Sequence, residues 1–177
     1  MSRKLRFAYA LAIFASVHTS AHAGEQQLWR YPCDVYMSSA CFRLPIAMEV
    51  TYKVPADFGV YTVSSSGEEL ISAYVGTAPN LRGGTPTLTL DSTNATLTGF
   101  LDKKNGLNTV DIFVVSKQKG GVTVHFFGTY SSNKREAVAE ILMGIRACQT
   151  RGKEDLWCPR ESPWGEAVSK WIVADSH

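Results

Sequence analysis

The chain is 177 residues long, with 45% hydrophobic and 19% charged residues and a formal net charge of +2. This length and composition fit one domain with a sizeable core and exclude a low-complexity chain. Three of the basic residues, Arg3, Lys4 and Arg6, stand in the first segment; without them the balance is 15 basic against 16 acidic, or −1, which removes the electrostatic footprint of a nucleic-acid binder.

Residues 1–23 read as a secretory signal peptide. A basic front is followed by the apolar run Phe7 to Val17 and by Ala21-His22-Ala23, whose small residues suit cleavage before Gly24. The run is shorter than the ~20 apolar residues of a membrane span, and nothing later is long or apolar enough for one. Residues 24–177 are therefore expected to form a single exported, periplasmic domain with no stable membrane insertion.

Residues 24 to 45 are irregular, broken by Pro32 and Pro45, with Trp29, Tyr31, Tyr36 and Phe42 expected over the edge of the core. Four cysteines follow the signal segment: Cys33, Cys41, Cys148 and Cys158. An even number in an exported chain reads as two disulfides. Three pairings are possible. Cys33–Cys41 with Cys148–Cys158 is favoured because each closes a short loop; bridges from the N-terminal loop to the end of a helix are the rival.

Ile46 to Val50, Gly59 to Val63 and Leu70 to Val75 read as short strands, with a turn cluster at Ser64-Ser65-Ser66-Gly67. Gly76 to Pro86 is the longest loop and a natural place for recognition, with Asn80, Arg82 and Thr85 as candidates. Thr87 to Leu90 and Ala95 to Leu101 are strands around the turn Asp91 to Asn94. Asp102-Lys103-Lys104-Asn105-Gly106 is a polar tip, since Asn-Gly tolerates the positive φ values of a tight turn.

Beyond it Val110, Ile112 and Val114 alternate with Asp111, Phe113 and Val115; Val122, Val124 and Phe126 alternate with Thr123, His125 and Phe127. This is a hairpin, and its first strand, apolar on both sides except at Asp111, implies a sheet covered on each face. Val138, Ile141, Leu142, Ile145 and Cys148 then mark one side of a long helix, with Asn133 and Glu136 placed as a capping box. Glu166 to Val173 forms a short closing helix with Val168, Trp171 and Ile172 inward. The fold class is α+β: an antiparallel sheet packed by a long C-terminal helix and held by two disulfides.

The chemistry on offer is sparse. Beyond the signal segment only His125 and His177 remain, so no histidine pair is available for a metal. No G-x-S-x-G elbow, C-x-x-C or phosphate-binding glycine loop occurs. Glu68 and Glu69 flank a turn and read as solvated. Asp111 interrupts an apolar strand; a strand-end position in solvent is the cheaper arrangement, because a buried charge needs a partner. The chain is read as a non-enzyme without cofactor or metal, the enzymatic alternative resting on Asp111 or His125.

Ala137-Val138-Ala139-Glu140-Ile141-Leu142-Met143-Gly144-Ile145-Arg146, placed after a sheet, resembles the end of PsbP-like domains. That resemblance implies an antiparallel sheet packed by helices. In kind, a signal segment, one compact domain, two bridges and no catalytic set are similar to periplasmic immunity proteins of type VI secretion, which block peptidoglycan-cleaving effectors such as amidases. This similarity implies a protein partner, a secreted peptidoglycan hydrolase, engaged by an inserted loop. Lys103, Lys104, Asn105 and Asn108 form the first candidate tip; Asn80, Arg82 and Thr85 form the second. The alternative is a periplasmic small-ligand carrier or sensor.

Overall fold

The structure, a computed structural model, describes residues 28–55, 57–77, 79, 82–151 and 155–174; the segment 1–23 expected to be a signal peptide, and Asn80, lie outside the described residues. Its main body is a seven-stranded antiparallel sheet. The strands are β4 (Met48–Lys53), β5 (Gly59–Ser65), β6 (Glu68–Gly76), β7 (Leu88–Asp91), β8 (Ala95–Lys104), β9 (Leu107–Ser116) and β10 (Thr123–Ser131), in the order β4-β5-β6-β10-β9-β8-β7. Two turns are fixed by residues that tolerate positive φ: Ser66 and Gly67 (53° and 80°) between β5 and β6, and Asn105 and Gly106 (54° and 77°) between β8 and β9. Both are two-residue hairpin turns of the kind whose twist matches that of the flanking strands.

Period-two alternation sorts the side chains onto two faces. Leu97, Leu101, Val110, Ile112, Val114, Val124 and Phe126 point into the core. They meet two helices, α1 (Arg135–Met143) and α2 (Gly165–Ala174), which pack against each other. Val138, Ile141 and Leu142 of α1 and Val168 and Ile172 of α2 are buried in the same cluster. Trp171 lies so close over Gly99 of β8 that a Cβ at Gly99 would stand 2.7 Å from the indole; the missing side chain is what admits α2.

Two three-stranded sheets complete the fold. One pairs β2 (Val35–Met37), β3 (Ala40–Phe42) and β11 (Arg146–Ala147); the other pairs β1 (Leu28–Arg30), β13 (Asp155–Pro159) and β12 (Gln149–Arg151). The disulfides Cys33–Cys41 and Cys148–Cys158 sit where the two meet, and they follow the short-loop pairing. Arg146, buried beside them, donates to the carbonyls of Gly144 and Arg160 and lies against the Cys33 sulfur.

The helix assignment needs correction. The expected long helix is nine residues, ending at Met143, and the last helix has ten. Gly144 closes α1 with i→i+3 bonds, Gly144 N–H to Ile141 and Ile145 N–H to Leu142, and the chain then becomes extended to pair Arg146 and Ala147 with Cys41 and Ala40. Ile145 and Cys148 are buried as the periodicity requires, but from a turn and a strand end. The capping box is not formed either. A 3-10 turn, Ser132–Lys134, precedes α1, Lys134 is its N-cap without a side-chain bond, and the Asn133 carboxamide instead accepts from the Ser131 hydroxyl. Tyr31 is largely exposed rather than covering the core, edge-on to Tyr36. The closing helix matches the expectation, with Val168 and Ile172 buried and Trp171 packed on the core. Among the described residues no helix is long and apolar enough to cross a membrane.

Candidate functional sites

The connection from β6 to β7 places the first site. β6 pairs with β10 while β7 lies at the far edge, with β10, β9 and β8 between them. Arg82, in that connection, reaches the sheet face opposite the helices. There its guanidinium donates to Asp111 Oδ2 at 2.8 Å, pairs with Asp102, and lies over the Phe100 ring at 5.7 Å. Arg82 thus covers this face at Asp111 and Phe100, while Val115 and Phe127 on the same face stay exposed, so the second face is covered only in part.

Asp111 is not a strand-end residue in solvent. It stands inside β9 opposite Phe100 of β8 and Phe127 of β10. His125, its diagonal neighbour across the β9–β10 pair, donates from Nε2 to Asp111 Oδ1 at 2.9 Å. Diagonal pairs of this kind are within reach of long and aromatic side chains. The imidazole is buried to 8% exposure and stacks on Phe113, with centroids 4.1 Å apart and planes 13° off parallel; Phe127 tilts against it at 5.0 Å. The hydrogen bond from His125 holds the Asp111 carboxyl below its ordinary value, against burial, which pushes it up, and with further help from Arg82. The two expected enzymatic candidates are therefore one hydrogen-bonded unit.

Beside this dyad lies a hollow of about 580 Å³ lined by Asp57, Phe58, Val60, Tyr74, Thr77, Asp111, His125 and Phe127. Its apolar walls with a few convergent polar groups are the usual build of a ligand site. Chemically, the dyad can accept a hydrogen bond or a proton through the ring's remaining nitrogen. No hydroxyl or thiol among the described residues is hydrogen-bonded to His125 as a nucleophile would be, and all four cysteines are paired. A larger groove of about 730 Å³ runs between residues 43–46 and the two helices, but its charges are of both signs, and Glu166 and Lys170 already pair with each other.

Asp111 ties acid sensitivity to this face. A carboxylate whose folded value is depressed contributes stability that is present above its unfolded value, about 4, and is lost as pH falls through the folded one. Asp111→Asn is expected to cost about 1–2 kcal/mol at neutral pH, reduced from a fully buried charge-assisted bond by partial exposure. It should also flatten the fall in stability below about pH 4. Urea unfolding of both proteins across pH 2.5 to 7, values set at about the carboxylate range and neutrality, checks this; parallel curves would contradict it.

The second site is the end of the β8–β9 hairpin. Lys103, Lys104, Asn105, Gly106 and Leu107 are exposed. Past Gly99, β8 has no β7 partner, so the end is an open strand edge. Asn108 does not belong to this tip: it is 4% exposed and faces inward, its Nδ2 without a hydrogen-bond partner among the described residues. It is the residue after Leu107, and in a strand that single step reverses the face. Arg82 is committed to Asp102 and Asp111, so it builds the sheet face rather than a free tip, while Thr85 is exposed.

Sequence reasoning flagged Asp111, His125 and Arg82 separately and did not join them. It missed Asp57, Phe58, Tyr74, Asp102 and Phe127, although the shared parity of Asp111, His125 and Phe127 in one hairpin was a usable signal.

No protein-family model, curated protein or solved structure matches this chain. Its sites are therefore read from their own chemistry.

Proposed function

We propose that this is an exported binding protein of the inhibitor or immunity kind, acting in the periplasm by placing the β8–β9 hairpin end in the cleft of a cell-wall-degrading partner. The observation that carries the reading is the build of that end. Ten-residue strands lead to a two-residue turn with both central φ values positive, and the five residues from Lys103 to Leu107 stand in solvent. An element already rigid in its bound shape loses little entropy on association. Two lysines beside an exposed leucine suit an acidic cleft with an apolar floor. The cysteine bridges fit an oxidising compartment.

Affinity capture from the producing cell, with the exported form as bait, should recover a peptidoglycan hydrolase whose activity it blocks. Lys104→Ala should change stability by no more than about 0.5 kcal/mol, the range of surface substitutions. Its loss of affinity should reach about 2 kcal/mol, roughly thirtyfold, if Lys104 lies at the centre of the interface. Asn105 is probed as Asn105→Gly, because its φ of 54° makes alanine strained there. Intact folding with unchanged partner affinity in both variants removes this hairpin from the mechanism.

A further inference from the structure

The sheet face holds one cation and has room for a second. Arg82 is kept by two carboxylates, Asp102 and Asp111, and by the face of an aromatic ring, Phe100. Asp111 also lines a hollow in which carboxylates and aromatic rings recur without a lysine or arginine. The hollow is lined by the carboxylates of Asp57 and Asp111, by the rings of Phe58, Tyr74 and Phe127, and by His125; no lysine or arginine is among those lining residues. Phe58 and Tyr74 pack at 5.0 Å and His125 and Phe127 at 5.0 Å, so the walls are two aromatic pairs from different strands and a loop. The His125 ring meets Asp111 through Nε2. Besides His125, the polar side chains of the hollow are the carboxylates of Asp57 and Asp111 and the hydroxyls of Tyr74 and Thr77, which donate or accept.

We infer that this hollow binds a small organic cation, an ammonium or guanidinium group on an apolar body, with the charge between Asp57 and Asp111 and the body against Phe58, Tyr74 and Phe127. Cations are drawn to aromatic faces by the ring quadrupole, most strongly where water is displaced. The volume, about 580 Å³, suits a ligand of one or two rings. The site lies on the open sheet face, inward of the hairpin end along β9, and stands whether or not that end binds a partner.

Three probes with one body and different charge decide it: benzylammonium, benzyl alcohol and benzoate, titrated into the exported form by calorimetry and by amide NMR. Benzylammonium should bind about tenfold or more tighter than benzoate, the equivalent of one well-placed cation–π contact plus a carboxylate. Its shift changes should centre on Phe58, Tyr74, His125 and Phe127. Phe127→Ala and Asp57→Asn should each weaken it several-fold with no change in fold, read from the same spectra. Equal or tighter binding of benzoate, shift changes centred elsewhere, insensitivity to both substitutions, or no saturable binding at millimolar probe each overturns the assignment.

Discussion

Cys148→Ser is expected to destabilise the protein by about 2–5 kcal/mol, the usual loss for a native bridge in a small disulfide-bonded domain. For a domain of this length that is a fall in melting temperature of roughly 5–15 °C. The bridge spans ten positions, from the end of β11 to β13, and holds the two small sheets together. Both its sulfurs are buried, in a satellite cluster with Cys33, Cys41, Tyr36 and Leu156. The substitution has a second consequence. The sulfurs of Cys41, Cys148 and Cys158 all lie within 4.8 Å of one another, so the Cys158 thiol left behind faces the other bridge. Attack of its thiolate on the Cys41 sulfur forms Cys41–Cys158 and releases Cys33 as the thiolate. Non-reducing peptide mapping of Cys148→Ser should therefore find both one-bridge species, whereas Cys148→Ser/Cys158→Ser should retain Cys33–Cys41 alone. A wild-type melting temperature for the single variant in oxidising buffer would contradict a structural role for this bridge.

The bridges and strands were legible because their causes are local. Cys33–Cys41 and Cys148–Cys158 are separated by 8 and 10 positions, and the strand alternations of Ala95 to Leu101 and Val110 to Phe127 report their own faces. The helix end was not local. Ile145 continues the 3.6-residue pattern of Val138, Ile141 and Leu142 perfectly, yet Arg146 and Ala147 are claimed by β3, more than a hundred residues earlier. Tertiary pairing overrode periodicity there. The candidate site was half legible for the same reason. Asp111 read as costly to bury, and it is; its costs are met by His125 from the next strand and by Arg82 from a loop whose path depends on β7 joining the opposite edge of the sheet. Nothing between positions 82 and 111 announces that meeting. Asn108 shows the reverse failure: its polarity suggested a tip, while strand parity, counted from the buried Val110, already assigned it to the inner face.

Phe126→Ala is expected to cost about 3–5 kcal/mol, the range for removing a fully buried phenyl ring. Phe126 is 1% exposed in β10, between Ala73 of β6 and Ile112 of β9, and meets Phe42 edge-on with centroids 6.0 Å apart. Phe42 belongs to β3, so this pair joins the large sheet to the small sheet of β2, β3 and β11. Its loss leaves a cavity at that junction, and the rigid strands on either side limit collapse into it. Aromatic pairs also contribute about 0.5–1.5 kcal/mol beyond their buried area. The neighbouring residue supplies the control. Phe127 points to the other face and is 37% exposed, so Phe127→Ala should cost no more than about 1 kcal/mol, near the typical point substitution and well below the core range. Urea unfolding of the two variants, identical in chemistry and adjacent in the chain, tests the register of β10 directly. A one-residue slip would exchange the two faces, so comparable losses, or a larger loss at Phe127, would overturn the placement of both the core and the hollow.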